Sequence, residues 1–213
     1  MPEIGATIGI INKFIDLGKE LAKLPAMVLP QYQPFTKDMY KICQRILKSN
    51  ENLMRWFNKF LYFDFLAANA RGDFLQAKQE YDSMKIGPEF HQLKFSCHDI
   101  GNIYYQNIAS KLGIWFADQR KLEEAEGIFQ RLTDADSSMV DFITNEFINR
   151  LDQFITKAEQ FIDVGDLNGA ERQRLEFKRE SAQIVQMIAS MNNGLSELVM
   201  SFADIARIPI TLE

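Results

Sequence analysis

The chain has 213 residues, of which 46% are hydrophobic and 25% are charged, and its formal net charge is −5. This composition is typical of a globular protein, and it excludes a disordered chain, a disulfide-rich scaffold and a strongly basic nucleic-acid-binding domain. The chain has only two cysteines, and no stretch reaches the roughly 18 consecutive apolar residues of a membrane span. We therefore expect one cytoplasmic domain, 1–213, with an aromatic-rich core because 17 residues are phenylalanine.

The N-terminal segment has the spacing of an amphipathic helix. Four isoleucines recur at intervals of three and four residues: Ile4, Ile8, Ile11 and Ile15. The pattern predicts a first helix that ends near Pro25. The three prolines in PAMVLPQYQP predict a non-helical connection, so residues 1–34 are expected to form one helix and a proline-rich connection.

A long second helix is predicted to begin at Thr36, a residue type favoured at the N-cap, with Asp38 in its first turn. Apolar residues then continue at helical spacing into RWFNKFLYFDFLAANA, where the helix is apolar almost all round. Such a helix is surrounded by neighbours in the core. Asp64 stands alone among these aromatic residues, and we expect a buried or half-buried carboxylate that caps or pairs with a neighbouring helix. The alternative is a perturbed acid in a pocket.

Basic residues follow one stripe of this second helix, with Asn52 filling the gap between them. Six residues form the stripe: Lys37, Lys41, Arg45, Lys48, Arg55 and Lys59. The stripe extends about 33 Å at the helical rise per residue. A stripe of one charge sign is not required for folding and adds self-repulsion. We interpret it as a docking surface for an acidic protein partner. The alternatives are the acidic half of this chain itself, anionic lipid headgroups and a merely solvated helix face.

A helix junction occurs three times, and its first copy lies in ARGDFLQAKQEYDSM. Here Gly72 is expected to stop the long helix and Asp73 to cap the next one. Each copy carries a small alanine between larger residues, and these alanines are predicted to mark tight helix–helix contacts: Ala77, Ala125 and Ala170. The Arg-Gly-Asp tripeptide is therefore interpreted as part of a helix junction rather than as an adhesive motif.

The junction resembles the tetratricopeptide repeat, a helical hairpin that binds other proteins. The match is best from Ala109 to Leu132, where the large, small and aromatic positions of the family are filled by Leu112, Gly113, Phe116, Leu122, Ala125, Phe129 and Leu132. The alanines are further apart than the family period of about 34 residues, and Arg174 stands where the family has an aromatic residue. The resemblance covers about three irregular hairpins over residues 50–180 and implies that they receive a helix or peptide of another protein. We expect stacked hairpins to form the domain from residue 35 to 208.

Further helices are predicted at about 88–112, 113–131, 138–163 and 166–191, on capping residues and apolar spacing. A final apolar seam continues to Ile205, with an expected kink at Asn193-Gly194 and an extended tail at 209–213. The sequence therefore predicts an all-α fold, an irregular helical bundle or short solenoid of about seven to eight helices with tetratricopeptide-like hairpins.

No catalytic, metal-binding or cofactor-binding site is predicted. His91 and His98 are separated by about 10 Å along a helix axis, too far to share one ion. The segment DADSSMVDFITNE begins like a calcium loop, but Met139 and Asn145 occupy the places of the required glycine and glutamate.

These observations favour a non-catalytic protein–protein interaction or scaffold module, which needs no cofactor and binds no nucleic acid. The alternative is a membrane-associating effector, peripheral to the membrane, that inserts its amphipathic first helix and uses the basic stripe against anionic lipid. Self-association through the C-terminal seam stays open.

Overall fold

The structure, a computed structural model, describes residues 2–23, 29–87, 101–116, 118–133 and 139–206. Within these ranges the chain forms seven α-helices and no β-strand, which confirms the predicted all-α fold. The helices are α1 (Pro2–Ala22), α2 (Leu29–Leu61), α3 (Ala70–Ile86), α4 (Ala109–Trp115), α5 (Gln119–Thr133), α6 (Met139–Asp163) and α7 (Leu167–Ala206). A π-helical segment, Tyr104–Ile108, leads directly into α4.

The two longest helices, α2 and α7, form the most extensive helix–helix contact of the described residues. They run antiparallel, because Leu61 at the end of α2 meets Arg174 near the start of α7, while Asn50 of α2 meets Asn192 further along α7. α6 packs beside α7 as the other arm of a hairpin, and α1 packs against α5, α6 and α7. The bundle is therefore built around the α2–α7 pair.

Aromatic rings join three of these helices in the core, as the phenylalanine content predicts. The ring of Phe57 on α2 lies 4.8 Å from Phe147 of α6 and 4.9 Å from Phe177 of α7, centre to centre. Phe177 in turn stacks on Phe154 of α6 at 4.6 Å. Burying such a ring stabilises the fold because it removes apolar surface from water and brings the ring into contact with other rings.

The predicted start of α2 is wrong, because the helix begins at Leu29 instead of Thr36. The first four N–H groups of a helix have no intrahelical partner, so Pro30 removes no hydrogen bond there. Pro34 lies inside the helix and removes one bond close to its N-terminus. Thr36 is fully buried within the helix and is not its N-cap.

The predicted end of α2 is also wrong. The helix ends at Leu61, and turns occupy residues 62–69 before α3 begins at Ala70. Asp64 lies in these turns, where its side chain is exposed and its carboxylate accepts a 2.9 Å hydrogen bond from the main-chain N–H of Leu66. A short polar side chain that bonds the backbone two residues ahead stabilises a turn, which explains why Asp64 is not a buried acid.

The Arg71-Gly72-Asp73 tripeptide lies in the first turn of α3 and not between two helices. All three residues are exposed, and Asp73 places a negative charge at the positive end of the helix dipole. The interpretation of Gly72 as a helix stop is therefore wrong.

The three junction alanines are all buried, as predicted: Ala77, Ala125 and Ala170. At the α6–α7 turn, Gly165 has a φ of 77° and Asp166 immediately precedes α7. The carboxylate of Asp166 accepts a 2.8 Å hydrogen bond from the N–H of Gly169, as an N-cap does. A methyl group on Gly169 would collide with Phe161 of α6.

The boundary between α4 and α5 lies later than the predicted junction at residues 112–113. α4 ends at Trp115, and Asp118 caps α5 by accepting a 2.9 Å hydrogen bond from the N–H of Arg120. Leu112 and Ala125 are buried on the facing sides of this pair.

α7 is one continuous helix of 40 residues, so the predicted boundary at residue 191 is wrong, and the helix continues through Asn193-Gly194. The absent side chain of Gly194 lets α1 approach, because a methyl group there would lie 3.1 Å from Ile15. The seam is buried as predicted at Ile184, Ile188, Met191, Leu195, Leu198 and Phe202. The predicted tail, 209–213, lies outside the described residues.

Candidate protein-docking site

The outer side of α2 carries the predicted basic residues. Spacings of three, four and seven residues place them on one side of the helix, opposite the buried side that includes Ile46 and Phe57. All six are exposed: Lys37, Lys41, Arg45, Lys48, Arg55 and Lys59. We call this set the basic stripe. The structure therefore brings every predicted site residue onto one continuous surface.

Two ion pairs of the described residues join the basic stripe to acidic side chains, one towards each of its ends. The Nζ atom of Lys41 is 3.5 Å from a carboxylate oxygen of Asp38. The Nζ atom of Lys59 is 2.5 Å from a carboxylate oxygen of Glu80, which belongs to α3. Asp38 is buried, whereas both partners of the Lys59–Glu80 pair are exposed. An exposed ion pair contributes about 1 kcal/mol or less, so the Lys59–Glu80 pair arranges the side chains more than it stabilises the fold.

Lys59 joins the basic stripe to an aromatic residue. Its Nζ atom lies 5.1 Å from the centre of the Trp56 ring, within the range of a cation–π contact. The hydrogen bond from Lys59, and a second one from Gln76, lower the pKa of Glu80, so this carboxylate is ionised at neutral pH. One end of the stripe is therefore a small polar network that spans α2 and α3.

A groove lies beside this network, between α2 and α3. It has a volume of about 660 Å³ and is widely open to solvent. Trp56 is half-buried and Met84 is buried, whereas the side chains of the polar lining residues are exposed. Seven residues line what we call the α2–α3 groove: Trp56, Gln76, Gln79, Glu80, Ser83, Met84 and Gly87.

α3 forms one wall of this groove, and ring contacts hold it against α2. The ring of Tyr81 lies 5.8 Å from Trp56 and 5.8 Å from Phe60, centre to centre. Phe74 also contacts Phe60, at 6.1 Å. Because the rings of Phe60, Phe74 and Tyr81 are buried, their contacts fix the position of the groove wall.

Ion pairs hold the other side of α3 against α6. Lys78 lies 2.6 Å from Glu159, and Lys85 lies 2.8 Å from Asp152. The hydrogen bond with Glu159 raises the pKa of Lys78. Burial opposes the charge of Lys85, but its hydrogen bonds with Asp152 and Asp82 outweigh that effect and raise its pKa. Both ammonium groups are charged at neutral pH and keep α3 in place.

Sequence reasoning missed the α2–α3 groove. A local signal was present, because Trp56 and Lys59 are three residues apart and therefore adjacent on one side of a helix. The partner of Lys59, however, is Glu80, and no helical spacing connects residues on two different helices. The groove forms where α3 packs against α2, and the residue spacing within α2 does not predict this packing.

The chemical candidates weighed from the sequence fall largely on residues that the structure does not describe. His91 and His98 lie outside the described residues, as does the loop that resembles a calcium site at 134–138. Among the residues that the structure describes, no three side chains of His, Cys, Asp or Glu are arranged to hold a metal ion. Burial raises the pKa of the Cys43 thiol, so this thiol stays protonated and unreactive.

No helix in the described ranges is long and apolar enough to cross a membrane. The apolar side of α1 lies in the core, with Phe14, Ile15 and Leu21 buried. The side chains of Ile4 and Ile8, which belong to the same predicted stripe, are outside the described set.

Comparison with protein-family models, with curated proteins and with solved structures finds no match for this chain. The resemblance to tetratricopeptide hairpins therefore stays a prediction. The case for a function rests on the surface chemistry of α2 and α3.

Proposed function

We propose that this chain is a non-catalytic protein-interaction module whose basic stripe docks an acidic surface of a partner protein. One observation carries the proposal: six basic side chains are exposed along one side of α2, over about 33 Å at the helical rise. Complementary charge on a partner steers association and fixes the register of the complex.

The energetics of the free helix support this reading. Basic residues three and four positions apart on a helix lie about 5–6 Å from one another and repel. This distance is shorter than the screening length of about 8 Å at physiological salt, so the repulsion persists. The core does not require basic residues on the outer side of α2, because the buried side of this helix already packs on α7. An acidic partner would relieve the repulsion.

The packing of α1 favours a protein partner over a bilayer. For α1 to insert into lipid, buried side chains such as Phe14 and Leu21 would have to leave the core. The contact of Gly18 with Leu198 and the 2.9 Å ion pair between Lys19 and Glu197 would also be lost. Membrane association is therefore kept as the competing outcome of the test.

The test is a charge reversal in the middle of the basic stripe. The variant Lys41→Glu/Arg45→Glu/Lys48→Glu is compared with Lys13→Glu/Lys157→Glu/Arg179→Glu, which makes the same change in net charge at exposed positions on α1, α6 and α7. Each tagged protein is used for affinity capture from the cells that express it, and the captured proteins are quantified by mass spectrometry. Circular dichroism checks that every variant folds.

We expect the partner protein to be captured by the wild type and by the control variant. The stripe variant should not capture it. Equal capture by all three proteins would remove the basic stripe from the account. Co-sedimentation with phosphatidylcholine–phosphatidylserine vesicles is measured in parallel. Vesicle binding that is lost in the stripe variant, with no protein lost, would instead support the membrane alternative.

A further inference from the structure

We infer that the α2–α3 groove is the anchor pocket of this docking site, and that it takes an apolar side chain at one end of an acidic helical segment of the partner. This inference rests on the proposed function, because it names the part of the partner that the basic stripe recognises. Charge complementarity alone requires only acidic residues in the partner. This inference also requires an apolar residue at one end of the acidic segment.

The shape and lining of the groove suit an apolar anchor. Its volume of about 660 Å³ is more than one side chain needs, and its wide opening to solvent lets a partner segment enter. Trp56 and Met84 provide its apolar surface. An aromatic ring offers a large rigid contact area, and a methionine side chain adapts to the shape of what it contacts.

The rim of the groove argues against a phosphate or lipid headgroup in the same place. Glu80 lines the groove, and its ionised carboxylate would repel an anion that entered. The amides of Gln76 and Gln79 and the hydroxyl of Ser83 are also at the rim, where they suit main-chain or polar side-chain groups of a peptide. The groove therefore fits an apolar side chain, while the anionic groups of the ligand face the stripe.

The position of the groove sets where the apolar anchor lies along the ligand. Trp56 lies near the C-terminal end of the basic stripe, between Arg55 and Lys59, and the rest of the stripe extends from there to Lys37. A helical ligand that covers this length has about 22 residues at the helical rise. Its apolar anchor must lie close to one end, and its acidic residues must recur on one side along the remainder.

The probe is a synthetic 22-residue helical peptide, with leucine and phenylalanine in its first turn and glutamate recurring on one side after it. A second peptide replaces both apolar residues by alanine. Binding to the full chain is measured by fluorescence anisotropy of the labelled peptides. In a Trp115→Phe variant, Trp56 is the only tryptophan, so its emission reports directly on the groove.

Two protein variants separate the groove from the rest of the surface. Ser83→Phe fills the groove with a ring, and Ser190→Phe places the same ring on an exposed position of α7. We expect Ser83→Phe to weaken binding of the anchored peptide about tenfold or more, because one buried anchor residue of an interface contributes at least that much. Ser190→Phe is expected to change the affinity less than about twofold.

The anchor-free peptide should bind the wild type about tenfold more weakly, and Ser83→Phe should weaken it no further. Emission of Trp56 should shift to shorter wavelength with the anchored peptide only. If both peptides bind equally well, or if Trp56 emission does not respond, the anchor pocket is refuted while docking on the basic stripe survives. If neither peptide binds, the anchor proposal fails, and stripe docking then depends on the charge-reversal capture experiment.

Other occupants of the groove give different results. If phosphatidylserine vesicles shift the emission of Trp56 and the peptide does not, the groove binds lipid and the inference is overturned. A dimer in analytical ultracentrifugation that Ser83→Phe converts to monomer would assign it to a second copy of this chain, with the same consequence.

Discussion

The guanidinium of Arg174 donates a 2.7 Å hydrogen bond to the main-chain carbonyl of Leu61, the last residue of α2. The last four carbonyl groups of a helix have no partner within it, and a positive charge there also interacts favourably with the helix dipole. Glu171, one turn earlier on α7, holds the guanidinium through a 2.9 Å hydrogen bond to its Nε atom. α7 therefore terminates α2 through a side chain at the position where the tetratricopeptide pattern has an aromatic residue.

Replacing Arg174 is expected to destabilise the fold. Arg174→Met keeps much of the apolar stem but leaves the Leu61 carbonyl and the Glu171 carboxylate without this donor, so we predict a loss of about 1.5–3 kcal/mol in the free energy of unfolding. Urea unfolding followed by circular dichroism measures it. Arg172→Met, at an exposed position two residues away, is the control and should change the value by about 0.5 kcal/mol or less. Equal effects of the two substitutions would contradict the capping role.

Two glycines should respond in opposite directions to the same substitution. In Gly169→Ala, the new methyl group would displace Phe161 and the capping carboxylate of Asp166, and we predict a loss of about 1–3 kcal/mol. In Gly127→Ala, within α5, the methyl group meets no atom within 4 Å, and the higher helix propensity of alanine should add about 0.5–1 kcal/mol. Thermal unfolding of both variants tests the pair, and a stabilised Gly169→Ala would show that the α6–α7 turn is looser than described.

The stability of the fold should fall at alkaline pH. Burial raises the pKa of the Tyr81 phenol well above its usual value of 10.0, and the nearby Asp152 carboxylate raises it further. Above pH 10 the unfolded chain therefore loses this proton while the folded chain keeps it, so the free energy of unfolding decreases as the pH rises. The slope from one such group is about 1.4 kcal/mol per pH unit at most.

Tyr81→Phe removes this contribution and should make the decline above pH 10 shallower. The measurement is the free energy of unfolding by urea at several pH values between 8 and 11, using Tyr62→Phe, at an exposed tyrosine, as the control. Absorbance of tyrosinate at alkaline pH reports ionisation directly. If Tyr81→Phe declines as steeply as the wild type, another group dominates the alkaline transition.

Features that depend on one helix could be predicted from the sequence. The burial of Ala77, Ala125 and Ala170 and the exposure of the basic stripe both follow from helical spacing, because residues three and four apart share a side of the helix whatever surrounds it. The apolar seam of α7 was predicted for the same reason.

Features that depend on context could not be predicted in this way. Two prolines at the start of α2 suggest a connection, but the N–H groups of a first helical turn have no intrahelical partner in any case. The apolar run around Asp64 has the pattern of a helix, although the chain turns there. The contacts of Lys59 with Glu80 and of Arg174 with Leu61 join separate helices. No spacing within one helix reveals them, so the α2–α3 groove and the termination of α2 emerged only from the packing.

Site-specific photo-crosslinking in cells that express this chain tests the docking account most directly. A photoreactive amino acid is placed at Lys48 in the basic stripe, at Ser83 in the α2–α3 groove, or at Arg179 on α7 as a control. We predict that the stripe and groove positions cross-link to the same protein, through peptides rich in acidic residues, and that the control position does not. Adducts that are the same at all three positions, or that consist of lipid at Lys48 and Ser83, would contradict the account.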